Sequence, residues 1–237
     1  MSRDRRRDAT PIGEPAAATV GWCAPDVARE LPDLRLLSSE VQLSSSCLRS
    51  SPAAVRERLA ALSDRYNGAK AIALRREAVP AAYRAFFREI GLDPDTTRTP
   101  IEAAVFWRMF DGGFVPTNLL DDTLLIGLID TAVAVWALDA DSLVGELGVR
   151  TSRAGEVLGH DDPVARGEAP RRLDAGQLVV ADSATAVSVL GEAPVSSVRP
   201  RRSSRRVRLY ALQVDGIPSL AVDEALWVVG SALEAQR

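Results

Sequence analysis

The chain has 237 residues, with 29 basic and 32 acidic side chains, a formal net charge of −3, and 46% apolar residues. That is the composition of a globular protein, and at this length one domain or two small lobes both fit. The charge balance argues neither for nor against a nucleic-acid partner, and no apolar run is long enough to span a bilayer.

The first 18 residues are charged and then Pro/Ala-rich, and read as a disordered tail with the folded part spanning 19–237. The tail carries Arg3, Arg5, Arg6 and Arg7 but no apolar core of a secretory signal. Val20 to Cys23 reads as a short strand, Asp26 to Leu31 as one or two helical turns stopped at Pro32, and Leu34 to Leu43 as a strand. Cys23 and Cys47 are the only cysteines; they are too sparse for a disulfide scaffold and point to a reducing cytoplasm. Ser51 and Pro52 read as the start of a helix with Val55, Leu59 and Leu62 on one face. Ala71 to Leu74 reads as a short strand. Lys70 is the only lysine, which reflects genomic base composition more simply than function.

Glu77 to Ile90 reads as a helix that clusters Val79, Tyr83, Phe86, Phe87 and Ile90 and stops at Gly91. The stretch 98–141 follows, and the rest of the chain is organised around it. Thr99 and Glu102 have the spacing of a capping box, and Pro100 sits where a missing N–H costs nothing. Ile101, Val105 and Met109 fall one turn apart, and Gly112 closes the helix. Asn118 or Thr117 can cap the next helix, whose buried side is read as Leu120, Leu124 and Leu128. Two helices this apolar need a sheet to lie on. Val133 to Leu138 reads as a buried strand ending at Asp139.

Beyond Asp141 the pattern changes to short strands: 147–150, 177–181 ending at Asp182, 186–190 ending at Gly191-Glu192, and 207–214. A helix over 222–233 closes the chain, with Asp223 and Glu224 at its positive end. Helices come early and strands late, which favours an α+β fold. The single histidine, His160, lies in a Gly/Asp/Pro-rich loop and speaks against a His-rich metal site and a Ser-His-Asp triad. Nothing resembles a heptad seam, so a monomer is expected.

There is no P-loop, GxGxxG, nucleophile elbow or zinc spacing. The polar residues that could carry chemistry stand at element ends: Arg75, Glu77, Asn118, Asp121, Asp139, Asp182 and Glu192. A carboxylate beside a bound substrate can orient or deprotonate water. Each also has a structural reading, Asn118 as a helix cap, Asp121 as a first-turn acid, and Asp139 and Asp182 as turn residues. A second feature is Arg199, Arg201, Arg202, Arg205, Arg206 and Arg208, six arginines within ten positions and no acid among them. Such a run can neutralise several phosphates, or it can be a solvated loop and strand face.

Several runs together carry a family resemblance. They are Tyr83, Gly91-Leu92-Asp93-Pro94, Arg98 to Ala103, Asn118 to Asp121, Trp136 to Asp139, Leu178 to Asp182, Gly191-Glu192 and Val222 to Trp227. In order and spacing they resemble the B3/B4 domain of the phenylalanyl-tRNA synthetase β subunit, and more closely the free-standing bacterial B3/B4 proteins, over 20–233. The resemblance implies a central mixed β-structure flanked by helices, with a pocket between the B3 and B4 parts and no metal or organic cofactor. It implies trans-editing of misacylated tRNA carrying tyrosine or a non-protein amino acid such as an arginine analogue. Glu192 or Asp121 would orient water. Arg75, Glu77, Tyr83, Asn118, Trp136, Asp139, Asp182, Gly191 and Tyr210 would shape the pocket, and the six arginines would hold tRNA phosphate. The chain departs from the family at Trp136, where the synthetase has histidine, and near Tyr210, the nearest position to its hydroxyl-reading carboxylate. Leu124 stands where many members have asparagine. The rival expectation is a tRNA- or small-molecule-binding module that hydrolyses nothing.

Overall fold

Long apolar strands buried on both faces need cover on both sides, and the chain supplies a helix layer for one and a second sheet for the other. The computed structural model describes residues 17–43, 45–66, 68–159 and 171–235. Most of the tail and His160 therefore lie outside the described residues.

The elements run β1 (Thr19–Val20), β2 (Trp22–Cys23), α1 (Pro25–Glu30), β3 (Arg35–Gln42), α2 (Ala53–Arg65), α3 (Gly68–Leu74), α4 (Ala78–Glu89), α5 (Pro100–Asp111) and α6 (Leu119–Thr131). Then come β4 (Val135–Asp139), β5 (Gly148–Thr151), β6 (Leu178–Ala181), β7 (Ala186–Val189), β8 (Arg206–Gln213) and α7 (Ser219–Glu234). The fold is α+β, with two four-stranded sheets of order β1-β3-β8-β4 and β2-β5-β6-β7. The first is antiparallel throughout; the second is mixed, because β2 runs parallel to β5.

Register decides what each face meets. In the first sheet Ser38 and Trp136 both pair with Tyr210, so the three share a face. The Tyr210 hydroxyl lies 3.0 Å from Ser188 Oγ on β7, which turns this face toward the second sheet. Val41 and Leu209 point the other way, onto Gly230 of α7. α6 then packs on α7, where a Cβ at Gly127 would stand 2.5 Å from Val229 Cγ2, so only glycine permits this approach. The resulting main core runs from Val27 to Leu233.

A smaller core lies outside α6. Leu59, Leu62, Leu74, Ile101, Val105 and Phe114 meet there. α5 thus rests on α3 and α6 rather than on a sheet, contrary to the sequence reading. Met109 is exposed, since the buried face of α5 is Ile101, Glu102 and Val105. The expected strand at 71–74 is the end of helix α3: four apolar residues do not fix a period, and Ala, Lys and Leu favour helix. Ser51 does not cap α2, which starts after Pro52; its hydroxyl donates instead to Asp122 Oδ2 at 2.5 Å. α7 begins at Ser219, so Asp223 and Glu224 lie beyond its first turn.

The N-terminus of α5 is tied by buried charge. Glu102 accepts from the Thr99 N–H (3.3 Å) and hydroxyl (2.8 Å) and from Arg84 Nη1 (2.7 Å), and Arg75 Nε lies 2.9 Å from its Oε1. Arg84 also donates to Asp95 at 2.8 Å. Both Arg84 and Glu102 are buried, and such a pair holds only if each charge keeps its partner.

Candidate functional site

Helix α6 is apolar on more sides than one core needs. Leu119, Leu120, Gly127 and Ile129 are buried, while Leu124, Leu125 and Leu128 remain half-buried. The sequence reading assigned Leu124 and Leu128 to the core. They instead help line an open cavity of about 220 Å³ between α6, β4 and the segment 193–200. Trp136 and Ala137 of β4 form its floor, and among the described residues Asp121 and Arg199 are its only charged lining residues.

The rim is built by two caps. The Asn118 side-chain oxygen accepts from the Asp121 N–H at 3.0 Å, and its amide donates to Asp121 Oδ2 at 2.7 Å. The N–H groups of Leu119 and Leu120 donate to the carbonyls of Arg49 and Cys47, so the start of α6 leaves none of these donors free for an anion. Asp139 ends β4, is buried, and accepts from the Asp141 N–H at 3.3 Å. The arginine segment folds back over this edge. Arg199 Nη2 is 3.9 Å from Asp121 Oδ1, and Arg201 Nε is 3.6 Å from Asp139 Oδ2. Both arginines stay more than half exposed, so these pairs are loose.

The other four arginines divide. Arg206 pairs with Glu40 and Asp141, and Arg208 with Glu40 and Glu146. Arg202 and Arg205 are exposed, with no carboxylate partner among the described residues. A run free of acids in sequence is therefore faced by acids from three other segments.

The remaining expected site residues scatter. Tyr83 and Gly191 line a second, smaller cavity behind Trp136. The Tyr83 hydroxyl donates to the Leu212 carbonyl at 2.7 Å, and burial raises its pKa. Tyr210 is buried between the sheets, where burial also raises its pKa, and it does not reach the cavity lining. Arg75 belongs to the knot at α5, and Glu77 is the exposed residue before α4. Asp182 is buried and accepts from the N–H groups of Val144, Ala184 and Thr185, the pattern of a turn-forming carboxylate. Glu192 is exposed and held by Arg171 through both oxygens, at 2.5 and 3.0 Å.

No family model matches the chain, and none of the curated proteins matches it.

The site brings together two carboxylates, half-exposed Asp121 and buried Asp139, two loosely held guanidiniums and an apolar chamber. Among the described residues no three His, Cys, Asp or Glu side chains cluster as metal ligands. Burial pushes the Cys47 thiol up to about 11, so it is not a thiolate nucleophile at neutral pH. No helix among the described residues is long and apolar enough to cross a membrane. The sequence signal that could have revealed the chamber was the surplus of leucine around α6. Pro100, Ala193, Pro194 and Pro200, which complete it, carry no chemical signature of their own.

Proposed function

We propose that this chain is a cytoplasmic trans-editing deacylase of the B3/B4 kind, acting on misacylated tRNA. The observation that carries the reading is the shared rim: an apolar chamber sized for a side chain opens beside Asp121, Arg199 and Arg201. The order and spacing of the family-like runs support the same reading.

The chamber takes the amino-acid side chain, and Arg199 and Arg201 lie where the phosphates of the acceptor end approach. Their loose carboxylate contacts exchange readily for phosphate oxygens. Asp121, rather than Glu192, is the group to orient water, since Glu192 is clamped by Arg171. Water attacks the ester carbonyl carbon, the bond to the ribose oxygen breaks, and the proton ends on that oxygen. Free amino acid and uncharged tRNA are released. An ester is already activated, so a positioned water, assisted by the neighbouring ribose hydroxyl, suffices.

One observation favours a second reading, binding without hydrolysis. Asp121 Oδ2 is already occupied by the Asn118 amide. A panel of mischarged tRNAs separates the two. Loss of one aminoacyl ester well above the buffer rate, slowed by Asp121→Asn, supports the deacylase. A flat panel with tRNA binding that weakens steeply with salt supports the binding module.

A further inference from the structure

The outer cavity and the smaller inner one share three lining residues, Pro100, Ala134 and Trp136. Only Trp136 is large enough to be a partition. Behind it the inner space is about 20 Å³, room for little more than one water, and it is walled by Tyr83, Phe86, Phe87, Ile101 and Leu212. Those walls are fixed. Tyr83 is anchored to the Leu212 carbonyl. Gly191, at φ +81°, leaves room for Phe87, whose ring a Cβ there would meet at 2.9 Å. Trp136 itself is half-buried, and its indole N–H has no partner among the described residues. It is the one large side chain common to both spaces that no hydrogen bond holds.

The chemistry of the outer walls is equally restrictive. Beyond Asp121 and Arg199 at the rim and the Trp136 indole on the floor, the lining side chains are leucine, proline, alanine and valine. The hydroxyls of Tyr83 and Tyr210 are already engaged elsewhere. A phenol or guanidinium driven inward would lose its water and find no acceptor, which is costly.

Resting on the aminoacyl reading above, we infer that the chamber selects an apolar, aliphatic amino-acid side chain and that Trp136 sets the admitted length by closing off the inner space. This departs from the tyrosine or arginine analogue that the family resemblance implies. Truncating Trp136 joins the two spaces, and enclosed apolar cavities on the order of 150 Å³ bind benzene-sized molecules.

The test uses non-hydrolysable 3′-aminoacylamino-adenosines bearing leucyl, tyrosyl and naphthylalanyl side chains, titrated calorimetrically into wild type, Trp136→Ala and Trp136→Phe. Wild type is expected to bind the leucyl compound at least about tenfold tighter than the other two. Trp136→Ala is expected to gain at least about tenfold for the naphthyl compound, with Trp136→Phe between. An unchanged ranking across the variants overturns the inference, and Trp136→Phe carries the test if the alanine variant does not fold. Indole added to Trp136→Ala separates the two ideas. If no analogue binds any variant, the aminoacyl reading and the side-chain selection fall together. A rise in the unfolding temperature with indole, in that variant alone, then still supports the partition, and no rise overturns it.

Discussion

Asp121 and Asp122 are neighbours on one helix turn with opposite lives. Asp122 is buried and accepts from the Ser51 hydroxyl (2.5 Å), the Thr117 N–H (2.9 Å) and the Thr117 hydroxyl (3.3 Å). Asp121 lines the cavity, half-exposed, with one amide bonded and an arginine at 3.9 Å. The same contrast separates two arginine–carboxylate groups. At α5, Arg84 and Glu102 are buried and close; at the rim, Arg199 and Arg201 are exposed and loose. Buried charges must be saturated to be tolerated, so they are structural. Charges left half-satisfied beside a cavity are the ones free to meet a ligand.

Breaking the α5 knot should cost most. Glu102→Gln leaves buried Arg84 short of a charge and is expected to lose about 3–5 kcal/mol, read by urea unfolding. Asp122→Ala strands Ser51 and the Thr117 N–H and is expected to cost about 2–3 kcal/mol. Should either variant unfold like wild type, the structural assignment of that region is wrong.

Acid sharpens the contrast in a third place. Arg150, hydrogen-bonded to Glu156, holds its carboxyl down to about 2. A depressed carboxylate contributes stability above its ordinary value near 4.5, and that contribution fades as pH falls toward 2. Glu156→Gln should therefore be less stable than wild type at neutral pH by about 1–3 kcal/mol, with the gap closing between pH 4 and 2. Smaller still, Tyr210→Phe leaves the Ser188 hydroxyl without its partner and should cost about 1 kcal/mol while sparing any deacylase activity.

At the rim the order reverses. Asp121→Asn and Arg199→Gln should move stability by less than about 1 kcal/mol. Under the proposed function both should nonetheless reduce deacylation, Asp121→Asn through turnover and Arg199→Gln through tRNA affinity and its salt dependence. Rim variants that lose stability but not activity would reverse the comparison.

Local chemistry was written plainly in the chain. Thr99, Pro100 and Glu102 start α5, Gly112 ends it in the left-handed conformation, and Asn118 caps α6, because such signals act within one turn. Strands 35–42, 135–139, 178–181 and 206–213 were legible from their apolar runs and the α+β class from their order. Asp121 and Trp136 were picked out in sequence and do line one cavity, with Asn118 hydrogen-bonded to Asp121 beside it. Tyr210 and Asp182 were not separable from them, because an apolar environment and a set of donor N–H groups are properties of the assembled sheets. Nor could the sequence say that Glu192 is clamped, or that Glu40, Asp141 and Glu146 answer an acid-free arginine run. Those partners lie tens to more than a hundred residues away in some pairs. Sequence determined where α5 begins and ends and where α6 begins, since caps act within one turn, while the helical state of 68–74 and the start of α7 escaped it. Only the tertiary structure decided which charges are saturated and which leucines face a void, since burial and pairing depend on what the fold brings from elsewhere.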